Sequence, residues 1–99
     1  MSAQQSKPAE DRGEPRQKVF RLGYAEAGGA RFKVHLLDVS PGGARLHAGH
    51  APEPGVRMTL TCSSIGTTGE VRWVDASRFG IRFDAPLARS DLEAIVKAG

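Results

Sequence analysis

Cysteine is almost missing from this 99-residue sequence: Cys62 stands alone, so no internal disulfide can form, and no second Cys or His lies beside it at metal-finger spacing. Such sparing use of thiols fits a reducing compartment. Long apolar runs are missing too. Nothing approaches the roughly 18 residues of a membrane-spanning helix, and the stretch from Met1 to Arg16 lacks the apolar centre of a secretory signal. The expectation is a cytoplasmic protein with no membrane insertion. No Ser/His/Asp order, carboxylate pair or metal-ligand set stands at a persuasive position, which argues against an enzyme and against a bound cofactor. No tract repeats, and none is of low complexity.

What is present describes one small domain. The chain has no room for a second, and at this size its stability should be modest. An apolar fraction of 39% with 25% charged residues is ordinary for a globular domain. The formal charge of +3 favours anionic partners only if the cations converge. The first sixteen residues, MSAQQSKPAEDRGEPR, are nearly all small, polar, charged, Gly or Pro. They cannot offset the entropy of ordering and read as a flexible N-terminal arm over 1–16, with the folded domain over 17–99.

From Gln17 onward short runs alternate apolar and polar residues between Gly, Pro, Ser and Asp clusters, the pattern of strands joined by turns. In the clearest run a period of two puts Val56, Met58, Leu60 and Cys62 on one face. Gly69, Val71 and Trp73 share a face in the next run, and Phe79, Ile81 and Phe83 in the one after, with Arg72, Arg78 and Arg82 outside. Earlier strands are expected at Val19 to Ala25, Arg31 to Ser40 and Ala44 to Ala48. Their turns are Ala27-Gly28-Gly29 and Pro41-Gly42-Gly43, where glycine permits positive φ. Six strands with such short connections favour antiparallel neighbours and a sheet that curls closed. The fold class is therefore all-β, a small six-stranded, split antiparallel barrel. Past Pro86 the spacing of Leu92, Ile95 and Val96 changes to that of a helix, expected over about 89–98, and Ser90-x-x-Glu93 has the form of a capping box.

Two short motifs carry chemistry. One is Arg12-Gly13-Glu14-Pro15-Arg16, an R-x-x-x-R; the other is Asp38-Val39-Ser40-Pro41-Gly42-Gly43, a D-x-S-x-x-G at a turn. Each has a decoy, in Arg78 with Arg82 and in Asp75-Ala76-Ser77-Arg78-Phe79-Gly80. Taken singly, Arg12 and Arg16 also read as solvated charges on a tail, and Asp38, Ser40 and Gly43 as ordinary turn residues. His47-x-x-His50 has no third ligand at a fixed spacing and reads as non-metal. Trp73 reads as core.

Order separates the motifs from their decoys. The arginine pair precedes the first strand, while Asp38 closes the apolar run Val34-His35-Leu36-Leu37 and is followed by Ala44-Arg45-Leu46. Gly69-Glu70-Val71-Arg72-Trp73 and Phe79-Gly80-Ile81-Arg82-Phe83 follow in turn. In this order the elements resemble the PilZ domain family over about Arg12 to Phe83.

The resemblance implies a receptor for cyclic di-GMP, a bacterial signalling dinucleotide, with Arg12, Arg16, Asp38, Ser40 and Gly43 as its binding residues. The chemistry is apt. A guanidinium forks onto a guanine edge or a phosphate and stacks on a base. The Asp38 carboxylate can accept from guanine N–H groups, the Ser40 hydroxyl can donate or accept, and Gly43 allows close approach. An arm that orders onto the barrel when ligand binds would act as a switch and signal to an unidentified downstream protein. Asp11 stands where the family often has a further arginine, a mildly unfavourable charge screened by solvent.

Two other readings remain at this point: a PilZ-fold docking module that binds no nucleotide, and a barrel that holds single-stranded nucleic acid. The latter has weak support, because no exposed aromatic platform can be assigned.

Overall fold

The computed structural model describes residues 16–97; the expected arm up to Pro15, with Arg12 in it, and the final two residues lie outside them. Six strands form: β1 (Gln17–Ala27), β2 (Ala30–Ser40), β3 (Gly43–His47), β4 (Arg57–Cys62), β5 (Ile65–Asp75) and β6 (Arg78–Phe83), followed by one helix, α1 (Arg89–Lys97). They close in the order β1-β2-β3-β6-β5-β4, every pair antiparallel.

Local chemistry sets the turns. Gly28 and Gly29 adopt φ of 59° and 85°, the two successive left-handed positions that a tight hairpin matching strand twist requires. Ser63 and Ser64 take the same region at φ 54° and 68° between β4 and β5, a conformation that costs non-glycine residues more. Gly42 and Gly43 do not share it: the left-handed glycines among the described residues are Gly28, Gly29 and Gly55. The expectation of positive φ at the Pro41-Gly42-Gly43 turn is thus corrected.

Alternation builds the core. Met58, Leu60 and Cys62 of β4 face Val34, Leu36, Leu46, Val71, Phe79, Ile81 and Phe83 inside the barrel. Full burial of a side chain such as Phe79 or Leu36 stabilises by about 1.5–3 kcal/mol. Helix α1 lays Ile95, buried, and Leu92 and Val96, half-buried, against this core. Arg21 of β1 fixes the helix end, its Nε donating to the Ile95 carbonyl at 3.0 Å and its Nη2 to that of Val96 at 2.9 Å. A guanidinium suits the negative end of a helix. Because the helix already begins at Arg89, Ser90 falls inside its first turn and does not form the expected capping box.

Two interruptions of register decide what faces outward beside the core. The β2 pairings shift between Leu36 and Asp38, and those of β5 between Val71 and Trp73. A bulge adds a residue to one strand and reverses which face the following side chains occupy. After the first, Val39 turns into the core and Asp38 leaves it; after the second, Trp73 leaves it.

Candidate functional site

Asp38 stands at the end of β2, 3% exposed, with both carboxylate oxygens engaged. Arg16 Nη1, from the residue preceding β1, donates to Oδ1 at 2.9 Å, and Arg45 Nε, from β3, donates to Oδ2 at 2.7 Å. A buried carboxylate needs such partners, since desolvation without them is costly. The Ser40 hydroxyl, also buried, donates to the Gly43 carbonyl at 3.3 Å and tightens the turn. Gly43 pairs with Arg82 of β6, and a Cβ there would run into the Ile81 carbonyl oxygen. What this glycine supplies is close approach of two strands.

Beside this cluster β5 and β6 complete a groove of about 520 Å³ lined by Arg16, Ser40, Gly43, Arg72, Trp73, Gly80, Arg82 and Asp84, among others. Trp73 is 38% exposed and not in the core, which corrects its expected place beside Gly69 and Val71. The bulge at Arg72 turns the indole outward, where it lies across Gly80: a Cβ on Gly80 would meet the ring, standing 2.9 Å from Cζ2 and nearer still to Nε1. Three guanidiniums and the indole of Trp73 thus border a single groove. At its rim Asp84 is held by Arg57 and by the Thr68 hydroxyl, which donates to Oδ2 at 2.8 Å. The Arg57 hydrogen bond, then that from Thr68, lowers the Asp84 pKa below the usual carboxylate range.

Of the residues expected to form a site, Arg16, Asp38, Ser40 and Gly43 gather at one end of the barrel, while Arg12 lies outside the described residues. Sequence reasoning missed Arg45, Arg72, Trp73 and Arg82. A signal for Arg45 existed: a hairpin that turns at Pro41-Gly42 and pairs Ser40 with Gly43 places position 45 opposite 38. Arg82, dismissed with Arg78 as a decoy pair, lines the groove, whereas Arg78 does not. Among the described residues no group of three or more His, Cys, Asp or Glu side chains could hold a metal ion, and no helix is long and apolar enough to cross a membrane.

Similar folds occur among solved structures, and two of them are compared with this chain. The PlzA protein of Borreliella burgdorferi, in complex with c-di-GMP, matches with a TM-score of 0.64 at 16% identity, over 81% of this chain and 37% of that one. The Bacillus subtilis inhibitor of motility, MotI/DgrA, matches with a TM-score of 0.68 at 13% identity, over 98% of this chain and 49% of that one. This chain therefore spans less than half the length of either, and at these identities the likeness is one of fold. Among curated proteins none matches. The sequence profile of the PilZ domain matches residues 10–98, nearly the whole chain, which shows that it belongs to the PilZ domain family.

Proposed function

We propose that this chain is a receptor for cyclic di-GMP, that the dinucleotide occupies the groove between Arg16, Trp73 and Arg82, and that binding orders the N-terminal arm onto the barrel. The observation carrying this reading is the convergence of Arg16, Arg72 and Arg82 on one groove floored by an indole. Phosphates and guanine edges both suit guanidinium forks, and an indole face suits a base. Family membership and the fold shared with a protein in complex with c-di-GMP support it.

In this reading Asp38, buried behind the groove, aligns Arg16 and Arg45 by accepting one hydrogen bond at each carboxylate oxygen. Ser40 and Gly43 hold the turn close to β6, and Arg12, four residues before Arg16, adds a second fork from the arm. The chain acts as a binding and signalling module without catalysis, in the cytoplasm, and passes the signal to a downstream protein. Isothermal titration with cyclic di-GMP tests this. Binding by the wild type, reduced at least about tenfold in Arg16→Ala and in Arg12→Ala, supports it. Unchanged binding in both variants, or none in the wild type, removes the site.

A second reading, a PilZ-fold docking module without nucleotide, is favoured by one observation: Phe20 and Leu22 stand exposed on β1. It predicts no heat with the dinucleotide.

A further inference from the structure

Alternation along β1 sends Val19, Gly23 and Ala25 inward and so turns Lys18, Phe20, Leu22 and Tyr24 out from the barrel wall together. On β2 the outward neighbours are His35, paired with Leu22, and Lys33, paired with Tyr24. Phe20 is 70% exposed and Leu22 49% exposed, the two most exposed large apolar side chains among the described residues. Phe20 is not loose. Its ring stacks on His35, centroids 5.1 Å apart and planes 13° from parallel.

The charge on this wall is positive. Lys18, Arg31 and Lys33 are exposed on it, while its carboxylates are engaged: Glu26 faces Arg31, and Asp38, opposite Lys18, is buried between Arg16 and Arg45. Among the described residues neither Lys18 nor Lys33 joins an ion pair. These two cations flank the apolar pair, Lys18 two residues before Phe20 and Lys33 diagonally across from Leu22.

We propose that this wall is a peripheral contact for a bilayer surface rich in anionic lipid, with Phe20 and Leu22 entering the boundary between headgroups and acyl chains and Lys18 and Lys33 reaching the phosphates around them. A lysine stem lies along apolar surface while its ammonium seeks polar groups, and anionic headgroups attract cations within a Debye length of about 8 Å at physiological salt. Only side chains enter, so the backbone of β1 stays hydrated at headgroup depth. Two other occupants fit less well. A partner helix needs a groove for its side chains, and neither the groove beside Arg16 nor the smaller cavity at the β1–β2 turn includes Lys18, Phe20, Leu22 or Lys33. A fluid interface accepts side chains that protrude from a convex wall. Single-stranded nucleic acid needs successive ring faces for its bases, and here His35 takes one face of Phe20, the Arg31 guanidinium lies 4.5 Å from the Tyr24 ring centre, and Leu22 offers no ring. The wall shares none of its residues with the groove, so the two readings stand or fall separately.

The test sediments the whole chain with vesicles of phosphatidylcholine alone and of phosphatidylcholine mixed with phosphatidylglycerol, up to millimolar lipid. Two apolar side chains hold less well than a myristoyl chain, so half-binding is expected above about 0.1 mM lipid. Supporting results are saturable binding to the anionic vesicles, at least about tenfold weaker binding to the neutral ones, weakening with added salt, and losses of at least about fivefold in Phe20→Ser and in Lys33→Glu, both at exposed positions. Titration of the same variants with cyclic di-GMP, which should match the wild type, keeps failure of this wall distinct from failure of the groove. The proposal is overturned by absence of binding, by equal binding to the neutral vesicles, by unchanged binding in either variant, by a single-stranded oligonucleotide that displaces the protein from the vesicles and loses affinity in Phe20→Ser, or by a dimer that Phe20→Ser dissolves.

Discussion

Arg45 and Asp38 face each other across the β2–β3 hairpin, Nε to Oδ2 at 2.7 Å, and this pairing leaves Arg16 as the second, independent counter-charge of the same buried carboxylate. Each guanidinium is close to half exposed, with side-chain exposures of 44% for Arg16 and 42% for Arg45 against 4% for Asp38. Either arginine alone keeps the carboxylate paired; loss of both leaves a charge in a site that water barely reaches.

The expected consequence is non-additivity. Arg16→Ala and Arg45→Ala should each cost at most about 1 kcal/mol, as befits solvent-screened pairs. The double variant should cost about 1–3 kcal/mol beyond their sum, because it strands a buried carboxylate. Adding Asp38→Asn to the double variant should recover most of that excess. Urea unfolding of the wild type and these four variants measures all three terms, and strict additivity would rule out Asp38 as their common partner.

Gly80 serves as the seat of Trp73. Gly80→Ala should push the indole off the strand and destabilise the domain by about 1–3 kcal/mol through overpacking. Trp73 is the single tryptophan, so its fluorescence reports the move directly, as a shift toward the emission of a solvated indole. In a Trp73→Ala background the same glycine change should cost much less.

The strands and the core were largely legible in the sequence because most runs obey a period of two: Met58, Leu60 and Cys62 lie inside as alternation requires. The resemblance named the D-x-S-x-x-G turn, whose Asp38 and Ser40 sit in one cluster with Arg16. What escaped was each feature created by a bulge. Alternation from Val71 places Trp73 inside, and one extra residue at Arg72 puts it outside. Alternation from Val34 and Leu36 likewise runs on to Asp38, and the shift at Leu37 frees it to meet Arg45. Local periodicity carries no record of such insertions, because they are set by the partner strand. The first residues of β5, Ile65 to Thr68, were missed because two threonines and a glycine offer no apolar face, and pairing with β4 alone makes them a strand.

Gly43 and Gly49 make a matched pair of tests. At Gly43 an added Cβ meets the Ile81 backbone, which cannot swing aside as a side chain can, so Gly43→Ala should destabilise by about 1–3 kcal/mol. At Gly49 nothing lies within 4 Å and φ is not left-handed, so Gly49→Ala should be neutral or stabilise by about 0.4–1 kcal/mol through the unfolded chain. Thermal melts of the two variants should shift in opposite directions or differ clearly in size.

Asp84 sets an acid limit. Its pKa is lowered in the folded state, first by the hydrogen bond from Arg57 and then by that from Thr68, so the folded protein holds the proton less tightly than the unfolded chain. Its contribution is present above the unfolded carboxylate pKa of about 3.9 and is lost as pH falls through the lower folded value. Asp84→Asn should therefore narrow the stability difference between neutral and strongly acidic solution, measured as urea midpoints across that window. The change will be small, because the pair is exposed and screened.

Cys62 sets the corresponding alkaline limit, with the opposite sign. Burial raises the pKa of its thiol, outweighing the hydrogen bond with Ser63 and the charge of Arg21, so the folded protein keeps the proton where the unfolded chain has released it. Stability is intact below the unfolded thiol pKa of about 8.5 and declines as pH rises from there through the folded value. Cys62→Ala removes this slope but opens a small cavity beside the core at neutral pH, whereas Cys62→Val fills the space better and should lose the slope at lower cost. Alkylation provides the direct check. With the thiol buried 2% exposed and donating to the Leu22 carbonyl, iodoacetamide should label Cys62 only at the rate at which the β4 end opens, and that rate should rise with urea in step with unfolding. Rapid labelling of the native protein near neutral pH would mean that the thiolate is accessible in the fold and that no alkaline slope should be seen.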